Sequence, residues 1–413
     1  MNTLQLAALR EAIARQRPGW TLEQPFYVSP EIYDFERRSW LAEQWYTMGH
    51  RSELSEPGSY IVRDLLGESL LIVRGSDGQV RGFYNVCRHR GSRICDRDGR
   101  AANLICPYHA WSYHLDGSVR SAPAISADID LGQLGLHPVP IREIGGIILG
   151  SLKGNLPSLD IVQREVEPLL HHHGIPQARI AARRSYPTRG NWKLVMENFL
   201  ECYHCYPSHP EYCSVMKHVE VFARQATPEV AAAWERTMEQ WFSRDADRDS
   251  TAPLRRDFKP GPTIHSVGRA PIGEGRKTQS QDGKPVAPLM GQLRSFDGGV
   301  TGFSIRPFVI NMMTNDHMVM FQFLPTGPQD TNVIISWLVN GSASEAEVNI
   351  ERMIWLWDVT TVQDKALIER NAEGVRSSAY QPGPYSGALE PGPIRLVADY
   401  LQGMSARLWN ETN

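Results

Sequence analysis

The sequence lacks any apolar run that could span a bilayer; stretches such as Gly146-Ile147-Ile148-Leu149-Gly150 are far too short. It has no Gly-x-Gly-x-x-Gly and no Gly-x4-Gly-Lys-Ser/Thr, which argues against a dinucleotide site and a phosphate-binding loop. The plant-type ferredoxin spacing Cys-x4-Cys-x2-Cys is absent too, so the chain has no visible means of drawing electrons from NAD(P)H itself. Acidic and basic residues are interspersed and the net charge is −3, which provides no electrostatic case for nucleic acid or an anionic membrane. Residues 1–17 alternate apolar with charged positions and lack the apolar centre of a signal peptide. These absences together predict a soluble cytoplasmic protein. Six cysteines are too few for a disulfide framework in 413 residues.

What is present is a pair of metal-ligand patterns. The first is Cys87-Arg88-His89, followed after sixteen residues by Cys106-Pro107-Tyr108-His109. Each half offers one thiolate and one imidazole. A Rieske [2Fe–2S] centre needs this set, two cysteines for one iron and two histidines for the other. A structural zinc site also uses two of each, but finger spacing pairs like with like, whereas here each half is mixed.

The second pattern lies in Asn191-Trp192-Lys193-Leu194-Val195-Met196-Glu197-Asn198-Phe199-Leu200-Glu201-Cys202-Tyr203-His204-Cys205-Tyr206-Pro207-Ser208-His209-Pro210. Periodicity predicts a helix over 192–206, with Pro207 and Pro210 forcing a turn after it. Glu201 and His204 then share a helical face, and the turn swings His209 back toward His204. Two converging histidines need one carboxylate to form the facial triad of non-haem Fe(II) oxygenases, with positions left open for dioxygen. A long helix predicted over 345–372 has an apolar stripe through Ile350, Met353, Trp357, Thr361 and Ile368. Asp364 falls within that stripe, where an unpaired carboxylate would be costly, and is the preferred third ligand; Asp358, about a quarter-turn off, is the reserve.

With these motifs in view, the chain resembles, over nearly its whole length, the large (α) subunit of Rieske non-haem iron oxygenases. Cys-x-His-x16-Cys-x2-His followed by Glu-x2-His-x4-His is highly specific for them, though many ring-hydroxylating members carry aspartate where this chain has Glu201. The wording around Glu201, and Tyr380-Gln381-Pro382-Gly383-Pro384-Tyr385-Ser386, is more similar to the branch oxidising quaternary ammonium compounds such as glycine betaine and proline betaine. The resemblance implies a [2Fe–2S] cluster on Cys87, His89, Cys106 and His109, and a mononuclear non-haem Fe(II) on His204, His209 and Asp364. It implies a homotrimer in which one subunit's cluster lies near its neighbour's iron, with Glu201 bridging to a cluster histidine. A separate NAD(P)H-dependent reductase would supply electrons. The implied reaction is hydroxylation of an N-methyl group and release of formaldehyde. The rival is oxidation of an aromatic ring, which the Met312, Met313, Met318 and Met320 cluster beside Phe321 and Phe323 would also suit. A Rieske carrier without catalysis would not need the second motif.

The expected fold is α+β. Residues 1–43 form an N-terminal helical segment packing on the catalytic domain, 44–155 a small antiparallel β Rieske domain, and 156–413 a helix-grip catalytic domain with an antiparallel sheet flanked by helices. Strands are predicted at 59–64, 70–74, 80–84, 110–115, 303–313, 317–325 and 331–340, and a connecting helix at 157–175. His171, His172 and His173 at its end are read as favourable charges for the helix C-terminus. Residues 258–302, rich in Gly, Pro, Lys and Ser, are expected to be a lid or a disordered insertion. Cys95, Cys202, Cys205 and Cys213 are read as reduced packing residues. Candidates for an aromatic cage around a substrate cation are Tyr203, Tyr206, Phe303, Phe308, Phe321 and Trp337.

Overall fold

The structure is a computed structural model and describes residues 3–216, 227–245, 264–273 and 275–410. The N-terminal helices Thr3–Arg15, Gln24–Val28 and Pro30–Arg38 lead into two small antiparallel sheets. One has the strand order Gly99–Arg100, Ser59–Leu65, Glu68–Arg74, Val80–Tyr84, Pro138–Val139; the other runs Leu104–Ile105, Ser112–Tyr113, Val119–Ser121. Leu66 and Gly67, at φ 54° and 84°, make the two-residue turn whose twist suits a hairpin between the first long strands. Leu71, Val73, Phe83, Trp111 and Tyr113 pack with Cys87 and Cys106 into a core of their own.

A third sheet joins Tyr46–His50 to Ile147–Gly150 and Ile141–Ile144. It ties this region to the larger one: Tyr46 stacks on Phe308 at 4.6 Å, and Gln322 Nε2 donates to the Thr47 carbonyl at 3.0 Å.

The large sheet is six-stranded and antiparallel, in the order Arg179–Thr188, Asp330–Val339, His317–Gly327, Val309–Met313, Gly299–Ile305, His265–Pro271. Alternation along its strands sends Val319, Phe321, Phe323, Ile335 and Trp337 into one core with Met353, Trp357 and Ile368 of the long helix Ile350–Val375. Met313, Met318, Met320 and Leu338 face the other way, onto Val162, Val166 and Leu170 of helix Asp160–His172. The methionine cluster is therefore divided by the sheet. Mixed helix and antiparallel sheet agree with the α+β expectation.

Several expectations need correction. The proposed lid or insertion at 258–302 is neither over its described part: 265–271 and 299–305 are paired strands, and Thr278, Gln279 and Ser280 are fully buried; 258–263 and 274 lie outside the described residues. The glycines there mark turns, with Gly275, Gly283, Gly291 and Gly298 all at positive φ. The helix at 192–206 stops at Phe199, and a short helix resumes at Cys205–Ser208. Glu201 accepts from the Tyr203 amide, so its side chain replaces a helical bond. Ile350 is exposed, and the buried stripe starts at Met353. Helix Asp160–His172 ends before Gly174 at φ 67°, as predicted, but His173 is fully buried on Thr301 Oγ1 (3.2 Å). Burial, then the nearby Arg269 charge, hold its pKa well below the ordinary value, so it is a neutral core residue, not a helix-end charge.

His50 behaves similarly. Its Nε2 donates to the Ile175 carbonyl at 2.9 Å while Nδ1 accepts from the Ser52 amide at 3.2 Å. Burial, against the opposing pull of the Ile175 bond, lowers its pKa from 6.5 to about 4. The unfolded chain therefore binds the extra proton between those values, so this stability is complete above pH 6.5 and lost as pH falls toward 4, by about 3 kcal/mol. His173 acts in the same direction. Thermal melts from pH 7.5 to 4.5 should show a shallower pH slope for His50→Gln than for the parent; identical slopes would refute the assignment.

Candidate metal centres

The first centre sits at the tip of the small sheets and is built by two loops with the same closure. The Gly91 amide donates to the Cys87 carbonyl at 3.0 Å, and the Ala110 amide to the Cys106 carbonyl at 3.1 Å. Gly91 and Ala110, each four residues after its cysteine, take left-handed φ of 78° and 59°. Each loop thus turns back on itself and presents a histidine beside its cysteine. Cys87 and Cys106 are buried, whereas His89 is half-buried and His109 exposed. The imidazoles lie 4.7 Å apart between ring centroids, and His89 stacks on Trp111 at 5.1 Å. Tyr113 Oη lies 3.2 Å from Cys87 Sγ and accepts from the Arg88 amide at 3.0 Å. Two buried sulfurs with two neighbouring imidazoles nearer the surface suit a cluster held asymmetrically. Tyr113 and Trp111 were not foreseen; neither belongs to the ligand spacing.

The second centre lies where helix Trp192–Phe199 hands over to the turns carrying His204 and His209, opposite the long helix. Asn191 caps the first helix by accepting from the Lys193 amide at 3.0 Å. Lys193, buried, pairs with buried Glu36 at 2.6 Å, which anchors the helix to the N-terminal segment. His204 Nε2 and His209 Nε2 both approach Asp364 Oδ1, at 3.2 and 3.0 Å. The opposite nitrogens are occupied: His204 Nδ1 meets Glu201 Oε1, and His209 Nδ1 lies 2.9 Å from Gln363 Oε1. Acceptors at both Nδ1 atoms put the protons there and leave the Nε2 lone pairs aimed at a carboxylate oxygen. That donor set suits a cation between them. Burial works against a charged His204, but its bonds to Asp364 and Glu201 outweigh it and raise the pKa to about 9. Burial likewise opposes the Asp364 charge, and the two histidines overcome it and lower its pKa.

The structure thus brings together the predicted His204, His209 and Asp364, with Glu201 behind His204. Asp358 is not among them; it is tied to Arg184 at 2.5 Å and the Tyr186 hydroxyl at 2.6 Å. Sequence reasoning missed Gln363 and Glu211, which accepts from Gln363 Nε2 at 2.7 Å, and Asn198, 3.3 Å from His204 Nε2. No motif marks them; only the fold places them. Cys202 and Cys205, read as reduced packing residues, are instead joined by a disulfide across the turn that replaces the predicted helix, with their Cα atoms 4.9 Å apart.

The cage candidates separate. Tyr203 and Tyr206 are exposed, Phe303 faces the core away from the second centre, and Phe308 is packed between Tyr46 and Trp192. Phe321 shares a core with Trp337 and lies edge-on to Trp357 at 5.1 Å, which meets Tyr212 at 5.4 Å. Trp357 is two turns from Asp364 and Tyr212 three residues from His209, so this aromatic wall adjoins the second centre.

Comparison with known proteins agrees with this architecture. A family model for the ring hydroxylating alpha subunit (catalytic domain) matches residues 177–405, and one for the Rieske [2Fe-2S] domain matches 44–141. The chain is 37% identical to the glycine betaine monooxygenase oxygenase subunit of Chromohalobacter salexigens, over 98% of this chain and 91% of that one. It is 33% identical to the protein of that name in Pseudomonas aeruginosa, over 95% and 91% of the chains. In fold it is similar to a quaternary ammonium Rieske monooxygenase whose structure addresses carnitine oxidation (TM-score 0.72, 23% identity, 96% and 98% coverage). Naphthalene 1,2-dioxygenase from Rhodococcus sp. is similar too (TM-score 0.68, 18% identity, 98% and 99% coverage). The chain belongs to the Rieske non-haem iron oxygenases, oxidoreductases whose α subunit joins a [2Fe–2S] domain to a catalytic domain that binds mononuclear iron.

Proposed function

We propose that this chain is the oxygenase component of a quaternary ammonium monooxygenase that removes an N-methyl group from a betaine-like compound. The observation that carries the substrate class is 37% identity over 98% of the chain to a glycine betaine monooxygenase oxygenase subunit. The domains run 1–43 (helical segment), 44–155 (Rieske) and 156–413 (catalytic). Cys87, His89, Cys106 and His109 hold the cluster, and His204, His209 and Asp364 hold the iron. When bound, the cluster supplies electrons singly and the mononuclear iron activates dioxygen.

The surrounding residues set up that chemistry. Glu201 and Gln363 fix the imidazoles with Nε2 toward the metal, and Glu211 fixes Gln363. A permanent cation cannot ligate iron, so ring faces must hold it, and the wall of Trp357, Phe321 and Tyr212 supports that role. Overall, the N-methyl compound, dioxygen, two electrons and two protons yield the N-hydroxymethyl compound and water. Its C–N bond then breaks, giving formaldehyde, the demethylated amine and a proton. A separate reductase delivers the electrons. The subunits form a homotrimer in the cytoplasm, in which Glu201 links His204 to a cluster histidine of a neighbouring copy; exposure of His109 and Tyr108 at the cluster tip supports this contact.

Three experiments test this reading. His209→Ala should lose the mononuclear iron yet keep the Rieske absorption spectrum, whereas Cys106→Ser should lose the spectrum; metal analysis showing His209→Ala with full iron would refute the ligand set. Glu201→Gln should lower turnover roughly tenfold to a hundredfold, so intact activity would remove its linking role. With a surrogate reductase and NADH, a panel of glycine betaine, proline betaine, carnitine, choline and benzoate-type aromatics should yield formaldehyde matched to NADH from one quaternary amine. A hydroxylated ring product without formaldehyde would discard the betaine assignment and keep both metal sites.

A further inference from the structure

The segment Glu201–Cys205 carries more than its two proposed functional side chains. Cys202 and Cys205 bracket His204 and are bonded to each other, the one disulfide among the described residues. Their Cα separation of 4.9 Å lies within the range that a disulfide spans without moving the backbone. Cys205 is buried, and its sulfur belongs with a ligand atom of His204 and one of His209 to a group lying within 4.8 Å of one another. Cys202 is only half-buried. One sulfur of the pair thus lies buried beside the two histidines, and the other is nearer solvent. A free cysteine sulfur is a strong ligand for first-row metals. A disulfide sulfur carries no charge and is a poor one.

We propose that Cys202 and Cys205 form a reversible dithiol–disulfide pair whose state sets how tightly the adjacent iron is held. In the disulfide, as in this structure, the Cys205 sulfur stands beside His204 and His209 but is bonded to Cys202 and is a poor donor; in the dithiol the same sulfur, freed of that bond, becomes an additional donor. The inference rests on the iron site proposed above. The oxidant is hydrogen peroxide, formed when two electrons and two protons reach dioxygen with no substrate to oxidise. Two thiols then lose two protons and two electrons, the S–S bond forms, the peroxide O–O bond breaks, and two waters leave. The pair would thus register unproductive turnover at the site where it occurs and loosen the metal there. A purely structural disulfide would persist through mild reduction and leave metal retention unchanged.

The test uses the iron-loaded, cluster-containing protein under argon, reduced with dithiothreitol, desalted and divided. One half is treated with diamide, a two-electron thiol oxidant that stands in for peroxide and spares ferrous iron. Alkylation and peptide mass mapping then report Cys202 and Cys205, and a ferrous chelator reports the rate of mononuclear iron release while the Rieske spectrum monitors the cluster. The reduced half should show both cysteines alkylated. The oxidised half should show neither alkylated and should release iron at least tenfold faster. Cys205→Ser should release iron at the fast rate before and after diamide, and Cys202→Ser should keep the slow rate after it. Cysteines that stay bonded through dithiothreitol, that both remain alkylatable after diamide, or that change state with no change in iron release would each overturn the proposal. Failure of the underlying iron site would look different: no chelatable iron beyond the cluster in either state.

Discussion

The catalytic half of this protein is organised around one carboxylate that cannot stand alone. Asp364 is buried on the apolar face of the long helix, where an uncompensated charge would cost several kcal/mol. The chain meets that cost with two imidazoles at about hydrogen-bond distance from a single oxygen. For both to arrive there, the helix after Asn191 must end at Phe199, the turn must carry His204 back over the long helix, and Pro210 must start a new helix beyond His209. The raised pKa of His204 reflects that demand, since Asp364 and Glu201 both favour positive charge on its ring against the cost of burial.

The first centre answers a different requirement. A cluster held by two thiolates and two imidazoles needs its anionic side shielded and its neutral side within reach of an electron partner. Burial of Cys87 and Cys106 and exposure of His109 would meet both needs in the proposed ligand set. The polarity comes from backbone geometry, since each loop closes on its cysteine carbonyl through a left-handed residue four positions on. Glycine at 91 adopts that conformation freely. Ala110 adopts it at some cost, which the surrounding loop must bear. Tyr113 completes the shield by placing its hydroxyl on the Cys87 sulfur.

Ligand spacing singled out residues that the structure brings together, because coordination restricts residue type and separation severely. The same was true of Asp364, a carboxylate in an apolar stripe. The α+β class and most long strands also followed from alternation and turn residues. What sequence obscured was competition between local and distant bonds. Residues 192–206 have helical propensity throughout, but the Glu201 side chain bonds to the Tyr203 amide and the helix stops. Gly392 packs where any side chain would meet the Leu200 carbonyl, so a segment almost two hundred residues later abuts that end. The Gly- and Pro-rich stretch after 264 reads as loop, yet it supplies an edge strand and buried Thr278 and Gln279. Partners such as Gln363, Glu211 and Tyr113 carry no motif, since they act through an orientation that only the folded chain defines.

The most direct test of the central claim is iron anomalous diffraction from crystals of the loaded protein, collected on both sides of the iron absorption edge. Besides the cluster, one iron per chain is expected, bonded to His204 Nε2, His209 Nε2 and the Asp364 carboxylate, with Glu201 and Gln363 still on the opposite ring nitrogens. An iron bound without Asp364, or bound through Asp358, would contradict it.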